Sequence, residues 1–261
     1  MREFVLVVGL DEAESSAIEA RVDQPLIAHV ILPKIVVKDG VLWSELPNSP
    51  RMVPISKVVF HGIFEDDLDF MAGLALWGGA CLPNPRAMLD ARLKFACLVR
   101  ALHYTRFGSA ARGYVSSCAR FDSETERVAK WGNWHCGENK ERFTGMWTGE
   151  HASIIEPFLP GRAVRIVMIG EQAWQISLAG DTWLKSIHHD DAAFMDIDPE
   201  LLDDTRAIKT GFGLEIIGND YIVGDDGSKH LLEVNHIPNV TRFSAIWDAY
   251  LTYVAAWIAT P

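Results

Sequence analysis

The chain has 261 residues, is 49% hydrophobic and 23% charged, and carries a net charge of −11. That is an ordinary globular composition, with room for one large domain or two to three small lobes. The negative balance excludes a generic nucleic-acid or anionic-membrane surface, so an anionic ligand has to be met by a local cluster of Lys, Arg and backbone amides.

Phe4 to Val8 is a short apolar run ending at Gly9, which predicts a buried parallel strand. The sequence then turns acidic, without the longer apolar run of a signal peptide, and no later run approaches membrane-spanning length. Cys81, Cys97, Cys118 and Cys136 form no CxxC pair, which reads as reduced thiols in a cytoplasmic protein. Glu14 to Ala20 reads as a helix. Pro25 to Val37 is a second apolar run, and Lys38-Asp39-Gly40 turns a hairpin into Gly40 to Trp43. Val58 to Phe60 is a further strand, and Leu68 to Trp77 a helix capped at Gly78-Gly79. Alternating strands and helices predict an α/β lobe, and Leu82-Pro83-Asn84-Pro85 breaks the chain at a lobe boundary.

Arg86 to Tyr104 has the spacing of one helix. Tyr114 to Ser117 and Arg127 to Lys130 predict strands of a second lobe. Trp131 to Gly149 lacks periodicity and reads as a loop. Ile154 to Phe158 and Arg165 to Ile169 begin a third group of strands. Asp198 is an N-cap candidate for a helix to Thr210 with Pro199 at its first position, and Phe243 to Ile258 predicts a final helix.

The stretch with most chemistry is Gly211 to Asn239, a strand, an Asp225-Asp226-Gly227 turn and a return strand from His230 to Asn235. Regular alternation puts Leu231, Glu233 and Asn235 on one face and Leu232 and Val234 on the other. Asp220, across the turn, can join Glu233 and Asn235, and three such oxygen donors suit a hard cation such as Mg²⁺. An acidic hairpin face in solvent fits the pattern equally well.

Lys130 ends a strand before the glycine-bearing stretch Trp131-Gly132-Asn133, a position suited to phosphate, although surface lysines are common. Arg162 and Arg165 flank the start of an apolar strand, where Arg165 can fork two phosphate oxygens or pair with an acid. Lys94 by itself reads as a solvated helix lysine. His188-His189-Asp190-Asp191 reads as a solvated loop, His135-Cys136 lacks zinc spacing, and the tryptophans read as packing residues.

Taken in order, the pieces resemble the ATP-grasp superfamily, in particular its carboxylate–amine ligases similar to ribosomal-protein glutamate ligases and glutathione synthetases. Leu82-Pro83-Asn84-Pro85 with Asp90 and Lys94, the strand Arg127-Val128-Ala129-Lys130, the hinge Ile154-Ile155-Glu156-Pro157-Phe158, Gly161 to Gly170, Gly218-Asn219-Asp220 and Leu232-Glu233-Val234-Asn235 with Pro238 carry the resemblance. Trp183-Leu184-Lys185 resembles a segment whose basic residue faces the acyl phosphate. Asn219 departs from the family, which usually has an apolar residue there.

The resemblance implies an α/β, ATP-grasp fold with a short N-terminal α/β lobe over 1–82, a central lobe over 83–153 and a C-terminal lobe over 154–261, the nucleotide lying between two α+β lobes. It implies ATP held by Lys94, Lys130, Lys140 and Arg165, with Glu156 and Phe158 at the adenine. Asp220, Glu233 and Asn235 would bind one or two Mg²⁺, or Mn²⁺ in its place, and Arg165 and Lys185 would act at the reacting phosphate. The stretch from Trp131 to Lys140 takes the place of a covering loop, with Trp131, Trp134 and Trp147 as its cover. The implied reaction joins a small-molecule or peptide carboxylate to an amine through an acyl phosphate, with a homodimer as one arrangement. A small-molecule kinase and a non-catalytic nucleotide-binding module stay open as alternatives.

Overall fold

The structure is a computed structural model describing residues 3–132 and 139–260. Its first layer contains β1 (Phe4–Val8), α1 (Glu12–Glu19), β2 (Leu26–His29), β3 (Ile35–Lys38), β4 (Val41–Glu45), β5 (Met52–Phe60), α2 (Asp67–Trp77) and β6 (Ala80–Leu82). The strands form a sheet of order β2-β1-β5-β4-β3, with β6 also on β5. β1, β2, β5 and β6 run parallel, and β3-β4-β5 antiparallel. The apolar runs predicted as strands are the buried ones: Val5 to Val8 and Val58 to Phe60 are sealed from solvent. Asp11 and Glu14 close a capping box on α1, and Gly78 ends α2 in the left-handed conformation.

Two short helices follow, α3 (Pro85–Arg92) and α4 (Lys94–Ala101). The sequence predicts one continuous helix here, but Leu93 is extended and serves both as the C-cap of α3 and as the position before α4. The break separates two buried ion pairs that point to different layers. Arg92 reaches Asp67 at the start of α2, and Lys94 reaches Glu233 in the last sheet.

β7 (Gly113–Val115), β8 (Arg120–Trp131), β9 (Lys140–Thr148) and β10 (Ser153–Pro157) form an antiparallel sheet of order β7-β10-β8-β9. β9 lies within the stretch read as loop. Its polar residues and the left-handed Gly145 mask an alternation that puts Phe143 and Trp147 on the sheet's own apolar cluster. The final layer is an antiparallel sheet of order β13-β12-β11-β14-β15. It is built from β11 (Arg162–Ile169), β12 (Gln172–Ser177), β13 (Ala193–Met195), β14 (Ile216–Val223) and β15 (Lys229–Asn235). α5 (Pro199–Phe212), capped by Asp198, and α6 (Ser244–Ala259) cover its two faces. No helix among the described residues is long and apolar enough to cross a membrane.

Candidate active site

Cross-strand register decides which side chains of the second sheet meet. Val128 sits opposite both Arg142 and Glu156, and Lys130 opposite both Lys140 and Ile154. Residues directly opposite share a face, so Lys130, Lys140, Arg142 and Glu156 project from one side. The alternate residues Ala129, Trp131, Phe143 and Trp147 pack together on the other. Trp131 and Trp147, 6.3 Å apart between ring centres, are thus core residues of their sheet and do not cover the cleft. Trp134, His135 and Cys136 lie outside the described residues.

In the third sheet Arg165 is opposite Asp220, and Asp220 opposite Glu233. The ladder slips between Asp220 and Tyr221, which pairs with Leu231, so Leu232 is the extra residue of a β-bulge. This corrects the regular alternation read from the sequence. Leu231 and Val234 turn into the core against α5, while Leu232 and Glu233 both line the cleft and Asn235 the adjoining pocket. Asn219, on the core face, is fully buried and donates to the Tyr221 hydroxyl, which in turn donates to Asp204. That polar chain gives the Asn219 amide nitrogen a partner in the core. Burial and the Asp204 charge hold the Tyr221 hydroxyl protonated, its pKa well above the ordinary value.

Between these two faces is a cleft of ≈ 280 Å³ lined by Lys130, Lys140, Glu156, Phe158, Lys185, Asp220 and Glu233. Asp220 is gripped bidentately by Arg165, at 2.5 and 2.8 Å. Glu233 lies 3.7 Å from the Lys94 ammonium and 3.8 Å from that of Lys140. Glu156 pairs with Lys130 on one oxygen and with Arg112 Nε at 2.7 Å on the other. Burial pushes the Glu156 carboxyl upward, but Lys130 and Arg112 outweigh it and hold the group below the usual carboxylate range. Burial dominates at Lys140 and lowers its pKa. Glu233 opposes that shift, and Lys130 and Lys94 add to it.

Lys94 is buried, and its ammonium makes no hydrogen bond among the described residues. Among the described residues five cations, Lys94, Arg112, Lys130, Lys140 and Arg165, therefore converge on three carboxylates. The excess of positive charge, inside a chain of net charge −11, is suited to an anion of more than one charge. Lys185, exposed, donates to the Gly180 carbonyl of its own loop at the cleft mouth. Phe158 lies under the Arg142 guanidinium at 3.9 Å and edge-on to Trp183 at 6.4 Å.

The cleft opens into a second pocket of ≈ 510 Å³ that Arg165, Lys185, Asn235 and His61 also line. His61 arrives from the end of β5 and meets Tyr250 edge-on at 5.0 Å. Burial lowers its pKa to about 4, so the ring is neutral at ordinary pH. Sequence reasoning finds neither His61 nor Arg112, because nothing local to either residue marks it. The signals exist only in the pairing of distant strands. His189, in the loop read as solvated, contacts Asp181 and Asp191.

As oxygen donors, Asp220, Glu233 and Asn235 fit a hard divalent cation. Among the described residues no group of three or more His, Cys, Asp or Glu side chains does so. The set is two carboxylates and a carboxamide, which leaves further positions for water and phosphate.

No protein-family model and no curated protein matches the sequence. Solved structures do match. The macrocyclase MdnC from Microcystis aeruginosa, bound with precursor peptide MdnA, aligns at TM-score 0.67 and 15% identity over 97% of this chain and 99% of that one. The ATP-grasp ligase PsnB, complexed with minimal precursor, Mg and ADP, aligns at 0.63 and 13% over 96% of each chain. D-alanyl-alanine synthetase A from Vibrio cholerae aligns at 0.63 and 13% over 98% of this chain and 99% of that one. The fold is thus an ATP-grasp fold, shared across nearly the whole of each chain.

Proposed function

We propose that the protein is an ATP-dependent carboxylate–amine ligase that works through an acyl phosphate and releases ADP and phosphate. The observation that carries this reading is the cation-rich cleft, with Asp220 and Glu233 in direct cross-strand register at its floor. Lys94, Lys130, Lys140 and Arg165 hold the triphosphate, and Glu156 and Phe158 stand at the adenosine end. In the ligand-free site these cations are neutralised by carboxylates, and phosphates take over that role on binding. Asp220, Glu233 and Asn235 would hold Mg²⁺, which supplies charge neutralisation at the phosphates. Segments 1–82, 83–153 and 154–261 act as the substrate-side, covering and metal-bearing lobes.

The chemistry follows from positioning. A substrate carboxylate oxygen attacks the γ-phosphorus, the bond to the β,γ-bridging oxygen breaks, and ADP leaves. Arg165 and Lys185 face the resulting acyl phosphate from the adjoining pocket. The amine nitrogen adds to the acyl carbon, the carbon–oxygen bond to phosphate breaks, and the nitrogen loses a proton as the amide forms. The neutral ring of His61 on the wall of that pocket leaves room for an uncharged amine. The precursor peptides bound by MdnC and PsnB support a peptide as one of the two substrates.

The test is an ADP-release screen over pairs of amino acids and peptides, with mass spectrometry of the products. The expected product is an amide formed with loss of water. A stable phosphorylated product with no amine requirement would mean a kinase instead.

A further inference from the structure

We infer that Arg112 is a positioning residue that ties Glu156 on the second sheet to the bulged stretch of β15 presenting Glu233. The two halves of the cleft are thereby set by one guanidinium. The ligands named below rest on the ligase reading, but the tie itself does not.

Arg112 does not line the cleft, and its side chain is only 10% exposed. It donates from Nε to Glu156 Oε1 at 2.7 Å and from Nη2 to the Leu231 carbonyl at 2.6 Å. Nη1 holds its own loop, at 3.3 Å from the Gly108 carbonyl and 3.4 Å from that of Ala110. Leu231 immediately precedes the extra residue of the bulge, and its amide donates to the Phe107 carbonyl at 3.0 Å. Both backbone polar groups of Leu231 are therefore taken by the 107–112 segment, on the open edge of β15, the last strand of its sheet. The path runs from Lys130 through Glu156 and Arg112 to Leu231, and one bulge later to Glu233 with Lys94 and Lys140. A planar fork makes the two ends of this tie from separate, rigidly spaced nitrogens, whereas a lysine ammonium would have to make both from one atom.

The test compares Arg112→Met, Arg112→Lys and Glu156→Gln by hydrogen–deuterium exchange without ligand, and by calorimetry of an ATP analogue at varied Mg²⁺. Arg112→Met should speed exchange at Leu231 to Glu233 by about tenfold while β11 and β12 keep wild-type protection. It should also raise both the nucleotide Kd and the Mg²⁺ concentration needed for half-maximal binding. Arg112→Lys should recover most of the nucleotide affinity, by pairing with Glu156, but not the exchange protection or the Mg²⁺ requirement. Glu156→Gln should weaken nucleotide binding with β15 exchange unchanged. The inference is overturned if a folded Arg112→Met protein exchanges at β15 like the wild type, or if Arg112→Lys matches the wild type in both readouts. If Arg112→Met does not fold, the lysine and glutamine variants decide between the same outcomes. A wild-type protein that binds no nucleotide overturns the ligase reading alone, because the exchange comparison is made without ligand.

Discussion

Glu233 and Glu156 are both surrounded by cations, but the proposed roles of the two carboxylates differ. Glu233 would turn to a metal, so Glu233→Gln should abolish ADP formation while leaving circular dichroism unchanged. Near-full turnover would remove the metal role. Glu156 is held by Lys130 and Arg112 in the ligand-free protein, and its depressed pKa fixes the sign of its effect on stability. That contribution is complete above the unfolded carboxyl value and is lost as pH falls through the lower folded value. Acid unfolding of Glu156→Gln should therefore show a shallower loss of stability below about pH 4.5, and an unchanged acid limb would contradict the assignment. Lys140 works in the opposite sense. Burial lowers its pKa, so affinity for polyphosphate should decline as pH rises through that value, and Lys140→Met should flatten the alkaline limb. Lys130, Glu156 and Asp220 are legible in the sequence because each ends or interrupts an apolar strand. Arg112 is not, since its meaning lies in a contact with Glu156, 44 residues away.

At the scale of elements, β15 shows what a period-two reading loses. The strand and its turn are legible, but one inserted residue moves Leu231 to the core and Leu232 to the cleft floor. Bulges obey long-range pairing, and neither strand carries a glycine at the slip to announce it. Leu232→Ala should remove apolar area from the floor and raise the nucleotide Kd by about tenfold, equivalent to ~1.4 kcal/mol, as measured by calorimetry. An unchanged Kd would place the base elsewhere. The start of β11 is set by a glycine for a clear steric reason. Gly161 has φ +144, and a Cβ there would lie 2.4 Å from the Val223 carbonyl oxygen. β9 and the α3–α4 break were hidden by composition. In β9 the half-buried Lys140 and Arg142 break the apolar alternation, and Lys140 faces the cleft. At Leu93 two ion pairs override a helical pattern.

At the scale of the whole molecule, two antiparallel sheets present their charged faces to one another, while α6 packs the third sheet against the first. Among the described residues, five cations meet three carboxylates at and behind the cleft. A ligand bridging the sheets stabilises the folded state by mass action. A hundredfold excess over Kd contributes about 2.7 kcal/mol, or roughly 5–10 °C for a chain of this size. The order of the layers was legible because alternating and continuous apolar runs distinguish open from buried strands. The facing of the two sheets was not, because it depends on register. The most direct measurement is a crystal structure with a non-hydrolysable ATP analogue and Mg²⁺. The account predicts phosphate oxygens within hydrogen-bonding distance of Lys94, Lys130, Lys140 and Arg165, and the ion on Asp220, Glu233 and Asn235. A nucleotide bound elsewhere, with Asp220 still closed on Arg165 and Glu233 still held by the lysines, would contradict it.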